Sequence, residues 1–122
     1  MRKRSATSRT KSSKREIRYA VVGLGWFAQT AVLPAFAHAR DNSELVALVS
    51  GEPEKPRKLG RKYGVGSLYS YENYPRCLAE DEIDAAYIAL PNHLHRDAAV
   101  AAARAGIHVL CEKPMAVTEE EC

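Results

Sequence analysis

No apolar run in this chain approaches the ~20 residues that a membrane-spanning helix needs, which excludes a helical span. Only three cysteines occur, Cys77, Cys111 and Cys122, and no CxxC or metal-ligand spacing relates them. A disulfide framework is therefore not expected, and reduced thiols in a cytoplasmic protein are the simplest reading. The first fifteen residues are nearly free of apolar side chains, and no hydrophobic segment precedes Ile17, so no secretory signal is expected. With 122 residues the chain has room for one domain with a real core, not two.

What is present divides unevenly. The net charge of +3 is the sum of a basic leader and a mildly acidic remainder. Residues 1–18 carry a net +7 and the rest a net −4. Residues 1–16 are expected to form a disordered basic tail, because they cannot bury enough surface to offset chain entropy. Ser and Arg without acids also loosely suit an organelle transit peptide, and charge alone could touch nucleic acid. Neither the tail nor the core shows a recognised nucleic-acid motif, so a solvated leader is the simpler expectation.

From Arg18 onward, apolar runs alternate with helical patterns. Tyr19–Val22, Leu45–Val49, Val65–Tyr71, Asp84–Leu90 and His108–Cys111 read as strands, most of them buried on both faces. Helices are expected over Phe27–Ala39, Pro53–Tyr63, Tyr74–Ala79 and His93–Ala105, with Pro34 kinking or interrupting the first. Gly64 and Gly106 sit where helix stops belong. Thr118 and Glu121 have the spacing of a capping box for one more helix. The order predicts an α/β fold, a doubly wound parallel sheet of the Rossmann type, incomplete at the C-terminal end and with one flank uncovered. Residues 17–122 make up that domain.

Gly23-Leu24-Gly25-Trp26-Phe27-Ala28 follows the first strand and opens the first helix. In that context a Gly-x-Gly-x-x-Ala turn suits a dinucleotide: Gly23 permits the tight turn and Gly25 lets the backbone approach a pyrophosphate. The diphosphate would rest on free N–H groups at the helix start, with Trp26 and Phe27 beside it. At the end of the second strand, the carboxylate that would accept from a ribose 2′-hydroxyl is missing. Ser50-Gly51 stands there instead, and Lys55, Arg57 and Lys58 follow. That combination favours NADP, with NAD as the alternative if Glu52 replaces the missing acid and the cations form only a solvated helix face.

Three stretches together resemble the Gfo/Idh/MocA oxidoreductases: the glycine turn, Pro91-Asn92-His93-Leu94-His95, and Ala105 to Ala116 with its Glu112-Lys113-Pro114 ending. The resemblance covers about residues 17–122, and its wording is most similar to the glucose–fructose oxidoreductase branch. It implies that Lys113 lies by the nicotinamide and the substrate hydroxyl as its acid–base group, and that Glu112 faces the nicotinamide ribose. Pro91 and Asn92 would then run along the cofactor with His95 close by, although a histidine at a helix start can equally be a cap or a packing residue. The implied substrate is a small molecule, a sugar, polyol or related alcohol. Family members complete their pocket with a second α+β domain, so the chain is expected to be the cofactor-binding portion with the substrate domain absent. Association into a homo-oligomer remains open at this stage, as does a non-catalytic dinucleotide-sensing role.

Overall fold

The computed structural model describes residues 16–80 and 82–122. The expected tail thus lies outside the described residues, apart from Glu16. Five parallel strands form one sheet: β1 (Ile17–Val22), β2 (Ser43–Ser50), β3 (Ser67–Ser70), β4 (Ala85–Ile88) and β5 (His108–Cys111). Their spatial order is β3-β2-β1-β4-β5. In register, Val21 stands beside Leu48 on β2 and Tyr87 on β4, which places β1 at the centre. The chain winds outward from β1 in one direction and then restarts on its other side with β4. The topological switch therefore lies between β1 and β4, where open α/β sheets bind ligands.

Each face of the sheet has its own apolar core. Alternate residues of the central strands point to opposite sides. Val21 and Leu48 pack with Ala28, Val32, Leu33 and Leu59 from the helices that follow β1 and β2. Ala20, Val22, Ala47, Val49, Ala86 and Ile88 pack with Tyr74, Cys77, Ala98 and Ala102 from the helices that follow β3 and β4. These helices are α1 (Leu33–Phe36), α2 (Glu54–Tyr63), α3 (Tyr74–Glu80) and α4 (His95–Arg104). Ala102 in α4 is fully buried, so its methyl group sets how closely that helix approaches the sheet. Gly106, at φ +80, ends α4 in a left-handed turn. The Ile107 amide then bonds Ala102 and the Gly106 amide bonds Ala103, so the last carbonyls of the helix are satisfied.

Two expectations need correction. The first helix does not run as one α-helix over Phe27–Ala39 but is interrupted, one of the two outcomes expected of Pro34: Ala28–Val32 forms a π-helical turn, and α1 follows it. The Leu33 amide bonds Ala28 five residues back. Pro34 has no amide to continue an α ladder and its ring crowds the preceding turn, so the widened turn absorbs both defects. The helix expected from Thr118 is also absent. The Glu121 amide does bond the Thr118 hydroxyl at 3.1 Å, yet the Glu121 carboxylate reaches the Val117 amide instead of that of Thr118. The segment after Thr118 closes a single turn, in which the Cys122 amide bonds the Thr118 and Glu119 carbonyls.

β5 lies at the sheet edge and pairs only with β4 among the described residues. Leu110 on this strand is half exposed, and Met115 and Val117 beyond it are more so. The flank expected to be uncovered is this one. No helix among the described residues is long and apolar enough to cross a membrane.

Candidate active site at the carboxyl edge of the sheet

Parallel strands deliver all their carboxyl ends to one edge, and that edge collects the residues singled out by the sequence. The β1 tip enters the turn Gly23–Phe27. Gly23 stands at φ +103, and a Cβ built there would lie 2.7 Å from the Ala89 carbonyl oxygen. Only glycine permits this approach of the first turn to the end of β4. Its amide bonds Val49, and the Ala89 amide bonds Val22, so the turn is tied to both neighbouring strands. Gly25 is different: it is exposed, and a Cβ there would meet nothing within 4 Å. The backbone at Gly25 is thus open to a ligand. Trp26 beside it is 78% exposed and Phe27 45%. The Gln29 side chain donates to the Leu24 carbonyl and the Thr30 hydroxyl to that of Trp26, which stiffens the turn.

Between the tips of β1, β4 and β5 opens a cleft of about 250 Å³. It brings together Phe27, Asn92, His95, Glu112 and Lys113 from the sequence-derived set. Ala89 and Leu90, which the sequence did not single out, complete its lining. Lys113 is exposed at its mouth, and its peptide bond to Pro114 is cis. Glu112 is half-buried and accepts a short hydrogen bond from the Tyr87 hydroxyl on β4. Burial, then the bond to Glu112 and its charge, push the Tyr87 hydroxyl up to about 12. Burial and the Glu112 charge also raise the Cys111 thiol, which makes it a poor nucleophile. Tyr87 is a functional candidate that sequence reasoning missed. The one signal was a phenol inside an otherwise apolar strand.

His95, at the floor of the cleft, is almost fully enclosed at 1% exposure. Its Nε2 lies 2.7 Å from the Leu90 carbonyl oxygen and its Nδ1 2.7 Å from that of Pro114. Pro91 and Asn92 are exposed and turn the chain from β4 into a short 3-10 segment, Asn92–Leu94, that precedes α4.

A second group gathers at the β2 tip, outside that cleft. Ser50 is buried, and its hydroxyl accepts from the Glu52 amide at 3.2 Å. Lys55 lies 3.7 Å from the Glu52 carboxylate, so the nearest cation and the nearest acid face each other. Both are solvent-accessible, and such a pair adds little to stability. Tyr71, just past β3, covers Gly51: a Cβ on Gly51 would meet its ring at 2.8 Å. Tyr71 is another residue the sequence did not indicate, since only the pairing of β2 with β3 brings it there. Its hydroxyl is raised by burial and by the Glu52 charge, against a lowering bond from the Gly51 backbone.

A glycine turn open to a ligand, a cleft joining it to Lys113, and a polar group of residues at the β2 tip fit an extended dinucleotide. The comparison with protein families agrees: residues 17–122 match the Gfo/Idh/MocA model, described as an oxidoreductase family with an NAD-binding Rossmann fold. The chain belongs to this family.

Similar proteins support its sugar-related members. A D-xylose 1-dehydrogenase (NADP(+)) from Haloferax volcanii is 34% identical over 84% of this chain and 30% of its own length. An aldose–aldose oxidoreductase from Caulobacter crescentus, solved with glycerol, superimposes with a TM-score of 0.83 at 45% identity. That match covers 88% of this chain and 32% of the Caulobacter protein. The WlbA dehydrogenase of Bordetella pertussis, solved with NADH and UDP-GlcNAcA, gives 0.80 at 34% identity, covering 88% of this chain and 31% of its own. The chain spans about 30% of the length of the curated relatives it matches.

Proposed function

We propose that this chain binds NADP(H) for an oxidoreductase acting on a sugar, polyol or related alcohol, with Lys113 as the acid–base group. The observation that carries the reading is the cleft itself, which Phe27 of the dinucleotide turn, Glu112 and Lys113 line together. The dinucleotide supplies the hydride acceptor or donor. Gly23, Gly25, Trp26 and Phe27 form its diphosphate turn; Pro91 and Asn92 flank its path.

Loss of hydride from a carbinol builds positive character on carbon unless the hydroxyl proton leaves as well. Lys113 takes or returns that proton at the substrate oxygen through Nζ. Glu112, fixed by Tyr87, faces the ribose hydroxyls. Ser50, Gly51, Lys55 and the Tyr71 ring above Gly51 form the pocket for the 2′-phosphate, where a cation and no buried carboxylate suit its charge. NADP in the name of the Haloferax relative supports this choice, and NADH in the Bordetella complex marks the alternative.

Lys113 is exposed at the cleft mouth, and acid–base work of this kind needs a site from which water is excluded. The 122-residue chain alone is therefore expected to bind the dinucleotide with little or no turnover. Trp26 is the sole tryptophan and sits on the diphosphate turn, so it reports binding directly. Titration with NADPH should quench its emission and sensitise nicotinamide fluorescence, at lower concentration than NADH. An unchanged Trp26 signal with both would reject the reading; tighter NADH binding would reject only the NADP assignment.

A further inference from the structure

The two turns that wall the cleft are not joined by a strand ladder beyond Glu112, whose amide makes the last β4–β5 bond, to Ile88. Past that point, among the described residues, the His95 side chain spans them. His95, the first residue of α4, reaches the Leu90 carbonyl at the end of β4 and the Pro114 carbonyl immediately after Lys113. Its own amide bonds Asn92, so the same residue also fixes the intervening 3-10 turn.

Both ring nitrogens face carbonyl oxygens at 2.7 Å, and a carbonyl oxygen only accepts, so the ring is held by the protons it donates. The bridge lies in a place 1% exposed to solvent, where polar groups that lose their partners are costly. Glu112 is the acid among the residues that line the same cleft.

We propose that His95 is a positioning residue, a two-armed clamp whose Nδ1 and Nε2 reach the Pro114 and Leu90 carbonyls and hold Pro114, and through it Lys113, against the tip of β4. Its role at the floor of the cleft is to fix the turn from which Lys113 extends. The proposal rests on Lys113 as the group to be placed, but its first test does not.

In nitrogen-15 spectra of the 122-residue chain, the His95 ring should show N–H protons that exchange slowly with solvent. Ring protons that exchange as fast as those of the exposed His93 and His108 overturn the clamp. NADPH titration supplies the functional arm, through a cycle of His95→Ala and Lys113→Ala. His95→Ala should weaken NADPH about tenfold. Combined with Lys113→Ala, it should fall short of the product of the single effects by at least about threefold. Combined with Lys55→Ala, at the distant β2 tip, the effects should simply multiply. His95→Gln, which keeps one donor arm, is the substitute if His95→Ala fails to fold. Effects that multiply independently at Lys113, with the far-ultraviolet spectrum unchanged, also overturn the proposal. A chain that binds neither nucleotide ends the dinucleotide reading, and the ring spectrum still decides the clamp.

Discussion

The Tyr87 hydroxyl on β4 donates to the Glu112 carboxylate at the tip of β5, so the acid of the Glu-Lys-Pro turn is held from the neighbouring strand. This contact has a titration signature. The Tyr87 hydroxyl is pushed from an ordinary value near 10 up to about 12, by burial first and then by the bond and charge of Glu112.

Because the folded value lies above the unfolded one, the neutral hydroxyl is favoured in the folded chain. Its contribution to stability is full below about pH 10 and is lost as pH rises through about 12. Ultraviolet titration of phenolate should show a late-ionising tyrosine that returns towards the ordinary range in Glu112→Gln. Tyr74 also ionises late because of its burial, so Tyr87→Phe identifies which transition has moved. A late transition unaffected by Glu112→Gln would remove Tyr87 as the partner.

The two turn glycines should fail in different ways. Alanine at Gly23 must adopt φ near +103 and bring Cβ to 2.7 Å from Ala89 oxygen, a backbone atom that cannot rotate away. A destabilisation of roughly 2–5 kcal/mol is expected from strain and overpacking together. Alanine at Gly25 meets nothing, so its stability should stay within about 1 kcal/mol of the parent. Its Cβ would nevertheless stand where a diphosphate must approach the backbone, and NADPH affinity should drop at least tenfold. Chemical denaturation separates the two variants, and Trp26 quenching measures the second. Equal stability losses at both positions would contradict the geometry.

Ala102 offers a test of the scaffold apart from the site. Its side chain is fully enclosed between α4 and the sheet, and leucine there adds three carbon atoms to a packed layer. Overpacking of this kind typically costs 1–3 kcal/mol. Because α4 begins at His95, a helix pushed outward should also weaken NADPH binding. Unchanged stability by urea denaturation would show that the α4 layer is looser than its burial indicates.

The strands were legible because a parallel sheet buries both faces, and near-continuous apolar runs such as Leu45–Val49 admit little else. β5 was placed to the residue. The glycine turn and Glu112-Lys113-Pro114 were legible because their spacing is local. Tyr71 over Gly51 and Tyr87 against Glu112 were not, since each contact joins neighbouring strands across twenty or more residues of sequence. The π turn escaped as well: Pro34 announces a defect in the helix, but nothing in the spacing says whether the chain will kink or widen. His95 was visible as a histidine at a helix start, a pattern that fits a cap, a packing residue or a ligand. Only the placement of two carbonyl oxygens around its ring separates these.

The β2 tip should decide between the two nicotinamide cofactors, and its charges can be changed without disturbing the core. Lys55 is 39% exposed in its side chain and shares its charge with Glu52 at 3.7 Å. Lys55→Ala removes the cation and leaves Glu52 facing the pocket with its negative charge unopposed. NADPH binding should weaken about tenfold, as expected when a bond to a charged group is lost, while NADH binding should change little. Glu52→Gln acts in the opposite direction: it frees Lys55 and removes a repulsion, so NADPH should bind more tightly and NADH no better. Raising ionic strength should erode the NADPH preference, since these groups are open to solvent and a Debye length at 0.15 M is about 8 Å. Titration of both variants with both nucleotides, read through Trp26, checks all three outcomes. Equal weakening of NADPH and NADH by Lys55→Ala would mean that Lys55 supports the fold of the β2 tip and does not read the 2′-phosphate.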